Sequence, residues 1–201
     1  MSDAAAWDLR YAGSAFHFGE RPNDYLRSQG WRLSPGQRAL AAGDGEGRNG
    51  VWLAEQGLEV TALDWSETGM AKARALAERR GVAMRTVVAD VTTWDWPDSG
   101  FDLVAWIFVH LPPADRLAAA RGVLHSLAPG GLLVLECFSP AQEGRRSGGP
   151  KDPSLLWDRA AVERAFGSLE VLELLEGTVL LDEGPKHQGH AEVVRAVLRR
   201  P

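Results

Sequence analysis

Apolar, strand-like runs at residues 37–42, 58–63, 84–89, 101–109 and 132–138 alternate with helix-like segments at 67–80, 113–127 and 155–166. A chain that switches in this order between a two-residue and a 3.6-residue hydrophobic period builds parallel βαβ units. Parallel neighbours need a crossover, and the crossover helix covers a sheet face. The expected fold is therefore α/β, a doubly wound, Rossmann-like sheet with helices on both faces. Residues 37–42 (QRALAA) lack β-branched side chains and are read as the first strand because a glycine-rich turn and a helical run follow. The last two strands, 169–175 with 178–181, and 191–198, are joined by DEGPKHQG, whose glycines and proline read as a turn. That ending is an antiparallel hairpin at the sheet edge, which makes seven strands with the last one antiparallel.

At 201 residues the chain holds one domain (1–201), read as an amino-terminal cap (1–33) on a core (34–201). The single cysteine, Cys137, cannot form an internal disulfide and offers no paired thiolate for a metal, which fits a reducing, cytoplasmic setting. The opening MSDAAAWDLR has no basic flank or apolar run, and residues 103–109 are too short to span a bilayer, so no membrane partner is expected. With 27 acidic and 22 basic side chains the net charge is −5, which supplies no polycation for nucleic acid. The expected partner is a small molecule, bound by a monomer or weak homodimer. Eight tryptophans stand against two tyrosines. Trp7, Trp65, Trp94, Trp96 and Trp106 fall in segments expected near a pocket, whereas Trp31, Trp52 and Trp157 are assigned to packing.

The turn GDGEGRNG, residues 43–50, lies between the first strand and a helix starting near Arg48. Two patterns overlap in it. Gly45, Gly47 and Gly50 satisfy the dinucleotide pattern GxGxxG, with Asp64 nineteen residues after Gly45 as a ribose acid. Gly43, Gly45 and Gly47 satisfy GxGxG, the turn of enzymes that bind S-adenosylmethionine. The rest of the chain separates the two. Both tyrosines, Tyr11 and Tyr25, precede the turn and neither has a lysine four residues on, and no length remains for a second, substrate-binding domain. A methyltransferase needs only a further acid at the end of the third strand, and Asp90 in VVADV supplies it.

The series AAGDGEGRNGVWLAEQG, VTALDWSETGMAKARALA, VVADV, FDLVAWIFVHLPP and LAPGGLLVLE resembles the motifs of class I S-adenosylmethionine-dependent methyltransferases. Within them it is similar to the small single-domain group related to tellurite-resistance and thiopurine methyltransferases. The resemblance implies S-adenosylmethionine as cofactor and S-adenosylhomocysteine as product. It implies that Gly43, Asp44, Gly45 and Gly47 cradle the methionine part, with Arg48 and Asn49 at the helix entrance. Asp64 would hold the ribose hydroxyls, Trp65 and Met70 would line the adenosine, Asp90 and Val91 would read the adenine edge, and Phe108 would lie beneath the cofactor. Many members carry an acid two residues before the first glycine. Here that place is Ala41, and Asp44 and Glu46 are the nearby substitutes.

Methyl transfer from a sulfonium is a displacement at an already activated carbon, so the protein mainly aligns and dehydrates the partners. A thiolate needs no base; an alcohol or ammonium does. His110 directly follows the fourth strand and is the candidate base or substrate contact, with capping of the turn before Leu111 as its structural alternative. Trp7 and Tyr11 of the cap, Arg146 in the loop 139–153, and His187 beside the hairpin turn are the candidate substrate residues. His187 and His190 lack a nearby third ligand, so no metal is expected. The leading reading is methyl transfer to a soft chalcogen acceptor: a thiol, or a selenium or tellurium species. O- or N-methylation of a small metabolite, a binding module without turnover, and an NAD-dependent oxidoreductase are the alternatives.

Overall fold

The computed structural model describes residues 4–201, so the first three residues of the expected cap lie outside it. The cap contributes α1 (Ala4–Tyr11) and α2 (Asp24–Ser28). The core runs β1 (Arg38–Ala42), α3 (Arg48–Glu55), β2 (Glu59–Asp64), α4 (Glu67–Arg80), β3 (Arg85–Val88), β4 (Phe101–Ile107), α5 (Pro113–Ser126), β5 (Leu127–Phe138), α6 (Arg159–Phe166), β6 (Glu170–Gly184) and β7 (His187–Arg199). The seven strands are ordered β3-β2-β1-β4-β5-β7-β6. β1 to β5 are mutually parallel, and β7 runs antiparallel to both β5 and β6, as the sequence predicts.

Strand alternation sends side chains to two cores. Leu40, Leu63, Val104, Trp106 and Leu133 face α5 and α6 with Trp157 and Phe166. Ala39, Ala41, Val60, Leu103 and Ala105 face α2 and α3, where Tyr25, Leu26 and Leu53 meet them. β1 therefore forms despite its alanine-rich sequence because it is paired on both sides and sealed on both faces, and burial outweighs weak β propensity.

Three boundaries differ from expectation. Helix α6 begins at Arg159 rather than 155, because residues 153–155 form a 3-10 turn, Trp157 donates its amide to Phe138 O at 2.9 Å, and Asp158 caps the helix through the Ala161 amide at 2.6 Å. β5 starts at Leu127 rather than 132, since LAPGG runs extended and Leu127 pairs with Phe101 across a register shift. β6 is one strand rather than two pieces, and the hairpin turn is only Pro185 and Lys186, because β7 supplies ladder partners through Gly177 and as far as His187. Among the described residues, no helix is long and apolar enough to cross a membrane.

The tryptophans also sort differently. Trp106 and Trp157 are fully buried and pack with Phe166 in the core. Trp94 and Trp96 pack on each other at 5.0 Å against the α5 side, with Trp96 filling the space beside Gly122. Trp31, expected to pack, is 75% exposed under the Arg32 guanidinium. Most of the excess is therefore core, and only Trp7 and Trp65 remain beside the site.

Candidate active site

The glycine turn leaves β1 and enters α3 with Gly43, Gly45 and Gly47 at φ +61°, +58° and +90°, backbone that a Cβ disfavours. Space forbids a side chain as well: a Cβ on Gly43 would lie 2.7 Å from Val109 Cγ2, and one on Gly45 2.5 Å from the Tyr11 hydroxyl. The amides of Asp44, Gly45 and Gly47 are held by Leu63 O, Asp64 Oδ2 and Asp44 O, so the turn is rigid in the free protein.

Asp64 ends β2 inside this frame. Its two oxygens accept the Gly45 and Ser66 amides, each at 2.9 Å, while burial pushes its pKa up to about 6 against those bonds. Trp65 is half-buried beside it. Met70 lies in the interior with Ala62 and Ala73. Asp90 follows β3 and accepts the Thr92 amide and hydroxyl on Oδ1 alone; Oδ2 has no protein partner among the described residues. Val91 is buried, and its carbonyl takes the Trp96 indole N–H. The turn, Asp64 and Asp90 thus occupy the carboxyl ends of three adjacent strands.

Several residues assigned to the cofactor's methionine end are turned elsewhere. Asp44 accepts the Gly50 amide through both oxygens, at 3.2 and 3.1 Å, and caps the first turn of α3; burial pushes its pKa up to about 8. A Cβ on Gly50 would strike Asp44 Oδ2 at 2.4 Å, so Gly50 seats this carboxylate. That accounts for the overlapping GxGxxG pattern without a dinucleotide. Glu46 accepts the His17 amide at 2.6 Å and pairs with Lys72 at 2.5 Å. Arg48 reaches Glu183 at 3.0 Å and His187 Nδ1 at 3.4 Å, and Asn49 Oδ1 accepts the Asn23 amide at 2.9 Å. Ala41 lies wholly inside the sheet core, so no acid projects from that position.

Opposite the turn stands a wall of rings. Phe108 takes a left-handed backbone, φ +55°, which is unusual for a bulky residue and concentrates at functional sites. Its ring packs on Phe138 at 4.5 Å and His187 at 4.5 Å. His187 continues to Phe18 at 4.8 Å, and Phe18 to Trp7 at 6.2 Å; His110 stacks on Phe138 at 5.7 Å. Tyr11 is buried over Gly45 and Gly69, close to Asp64. His110 stands at the end of β4 as expected, but Nδ1 bonds Leu155 O at 3.0 Å and Nε2 takes the Phe138 amide at 3.5 Å. Burial pushes its pKa down to about 4. The geometry gives it the job of fixing the loop around Leu155 rather than a free base. Arg146 is exposed on its loop, and His190 is exposed while His187 is buried.

Sequence reasoning missed the joint beneath this wall. Asn23 donates through Nδ2 to Glu136 at 2.6 Å and Glu183 at 2.8 Å, and its Oδ1 accepts the Leu26 amide. Arg195 meets Glu136 at 2.8 Å on the other side. The only local signal was Asn23 itself, an N-cap residue before α2. Phe18, Phe138, Lys72 and Glu183 gave none.

Residues 39–131 match the family model described as a methyltransferase domain. Over 110 residues the chain is 36% identical to a demethylmenaquinone methyltransferase of Thermus thermophilus, which covers 54% of this chain and 50% of that one. The chain spans about half the length, or less, of the curated relatives it matches over this central segment. A thiopurine S-methyltransferase of Nitrosospira multiformis is 26% identical over 206 residues, covering 90% of this chain and 89% of its own. Among solved structures, the N-methyltransferase NodS of Bradyrhizobium japonicum in complex with S-adenosylhomocysteine shares the fold, with TM-score 0.74 and 18% identity over 98% of each chain. A bare turn that a Cβ would fill, with acids at the next two strand ends, fits a nucleoside carrying an extended amino-acid tail. The matched segment contains the glycine turn, Asp64 and Asp90, and over the whole chain the seven-stranded fold is the one seen in NodS.

Proposed function

We propose that the protein transfers a methyl group from S-adenosylmethionine to a thiol or thione sulfur on a small planar acceptor. The observation that carries this reading is the state of the two histidines that pack against Phe108 and Phe138. Both nitrogens of His110 are engaged, and burial pushes its pKa down to about 4 and that of His187 to about 3. Burial and nearby acids hold the Tyr11 hydroxyl well above its usual pKa. An alcohol or ammonium would find neither of these two histidines suited to take its proton, whereas a thiolate needs no base. The flat faces of Phe108, Phe138 and His187 suit a planar partner. Selenium and tellurium oxyanions fit less well, since the buried Arg48 guanidinium beside His187 is already paired with Glu183.

The cofactor, when bound, supplies a methyl group activated by the sulfonium charge. Asp64 and Asp90 then hold the ribose and adenine ends, Trp65 and Val91 border the adenosine, and the glycine turn lets backbone approach the tail. Phe108, Phe18 and Tyr11 exclude water and set the line of approach. Isothermal titration with S-adenosylhomocysteine tests the cofactor half. Release of S-adenosylhomocysteine in a panel of aryl thiols, heteroaryl thiones, selenite, tellurite, phenols and amines tests the rest. Turnover confined to phenols or amines overturns the acceptor, and cofactor binding with no turnover across the panel leaves a binding module.

A further inference from the structure

The sheet carries a second concave feature, a groove of about 530 Å3 lined in part by Trp31, Arg32, Leu132, Leu172 and Arg199. Asp102, at the start of β4, also borders it, and Leu132 pairs with Arg199 near the end of β7. The groove therefore lies at the amino ends of the parallel strands, whereas the glycine turn follows the carboxyl end of β1. Its floor is aliphatic: Leu132 and Leu172 are half-buried and pack on the core of Leu103, Val134 and Val197. Gly130 and Gly131 leave one wall as bare backbone, tied down by the Gly130 amide on Arg200 O at 2.8 Å and the Arg200 amide on Gly131 O at 2.9 Å.

Trp31 sits on the short 3-10 turn Gly30–Arg32 and is 75% exposed. The Arg32 guanidinium lies 4.1 Å from the centre of its ring, and Arg32 Nε donates to Gln29 Oε1 at 2.8 Å, so ring and cation form one platform. The other charges of the groove are spent on each other's neighbours: Asp102 pairs with Arg38 at 3.0 Å and Arg199 with Glu170 at 2.6 Å. Arg32 has no carboxylate partner among the described residues, which leaves the groove one uncompensated positive charge on a chain of net charge −5.

We propose that this groove docks a partner protein through a short acidic segment. A bulky apolar side chain of the segment enters between Trp31 and the floor of Leu132 and Leu172, and a carboxylate beside it meets Arg32. Tryptophan and arginine are the residue types that dominate binding at protein interfaces, and covering the indole and both leucines removes apolar surface from water. The volume takes one or two large side chains, far short of the roughly 1,600 Å2 that a stable protein pair buries, so it suits an anchoring segment rather than a broad face. A second copy meeting this groove across a two-fold axis would present the same unpaired cation from both sides. A nucleic acid needs a row of free cations, and here there is one. Docking at this end is independent of the chemistry at the glycine turn, so the two readings fail separately.

A random peptide library displayed on phage, panned on the whole chain and counter-selected on the double variant Trp31→Ser, Arg32→Glu, tests the proposal. Enriched sequences should share an Asp or Glu beside a Leu, Phe or Trp. The synthetic consensus peptide should bind the wild type in isothermal titration, and Trp31→Ser and Arg32→Glu should each weaken it about tenfold, the scale of one interface anchor. The same peptide with Lys in place of its acid should not bind. In 1H–15N spectra the Trp31 indole N–H, assigned by its loss in Trp31→Phe, should shift as the peptide is added to the wild type, a readout that does not depend on the stability of any variant. No enrichment over the counter-selection, enriched sequences without an acid, an unmoved Trp31 signal or unchanged affinity in Trp31→Ser overturns the proposal. Tighter binding of an oligothymidylate at Trp31, or a dimer of the free chain that Trp31→Ser dissolves in sedimentation, overturns it too, by making the occupant a nucleic acid or a second copy.

Discussion

Asp64 accepts the amide of Gly45 at 2.9 Å, so the acid that ends β2 and the turn that ends β1 move as one piece. The carboxylate shapes the turn before any ligand arrives, and in the proposed function its remaining lone pairs take the ribose hydroxyls. Asp64→Ala should therefore weaken S-adenosylhomocysteine about 100-fold, since charge-assisted bonds are lost and the turn is loosened together. Titration calorimetry reads this directly. Unchanged affinity would place the ribose elsewhere.

Gly45→Ala puts a Cβ into left-handed backbone and within 2.5 Å of the Tyr11 hydroxyl, so α1 must lift for the turn to survive. Cofactor binding should fall below detection in the same titration, and amide exchange in α1 should accelerate. Gly81→Ala is the control. It has a similar φ, +68°, with nothing near its Cβ position, and should cost only about 1 kcal/mol of stability with binding intact.

Burial holds His110 neutral, with its pKa pushed down to about 4 from an unfolded value near 6.5. Between those values the unfolded chain binds the extra proton, so this group makes stability rise with pH across the window and lowers it as the pH falls from about 6.5 to about 4. Asp44 acts in the opposite sense. Its folded pKa of about 8 means the stability it contributes is present below the unfolded value and is lost as the pH rises toward 8. His110→Asn isolates the histidine term: denaturant melts should show a shallower loss of stability on acidification than the wild type, by up to about 3 kcal/mol over the window. Parallel curves for the two proteins would show that His110 is already charged in the fold.

Asn23 joins α2 to two strands at once, and its loss leaves the Glu136 and Glu183 carboxylates buried without their shared donor. Asn23→Leu should cost about 2–4 kcal/mol, the range for stranding buried charged acceptors. The cost should appear as early loss of α2 protection in hydrogen exchange, ahead of the sheet. Loss of protection in the cap and sheet together would mean the joint belongs to the global fold.

The parts legible in the sequence were those fixed by neighbours along the chain. The glycines at 43, 45 and 47, Asp64 and Asp90 each sit at the end of an apolar run, where backbone geometry leaves little choice. What escaped was set by distant partners: Asn23 lies 113 residues from Glu136 and 160 from Glu183, and no periodicity links them. The partners of Arg48 and Asn49 escape for the same reason, since position at a helix entrance says nothing of Glu183, His187 and Asn23, which come to meet them. Tryptophan misled through composition. Trp106 is on the strand that leads to the site, yet alternation turns it into the core on the face opposite Ala105, beside Trp157. β6 was read as two pieces because Gly177 weakens the local pattern, whereas its pairing with Val193 carries the ladder through.

Lys72 pins the cap from beneath. Its ammonium donates to Gly13 O at 2.9 Å and Ala15 O at 2.7 Å, pairs with Glu46 at 2.5 Å and sits 4.8 Å from the centre of the Phe16 ring. Glu46 belongs to the glycine turn, so this one side chain ties the loop after α1 to the cradle itself. Lys72→Met keeps the aliphatic stem against Phe16 and removes the charge, leaving Glu46 with the His17 amide alone and releasing three carbonyls, those of Tyr11, Gly13 and Ala15. The cap should then open more often. Stopped-flow measurements should find both association and dissociation of S-adenosylhomocysteine faster, with dissociation rising more, by about tenfold, so that affinity falls while the sheet melts nearly unchanged. Unaltered rates would mean that α1 is held by Asp8, through Ser66 and Thr68, without help from the lysine.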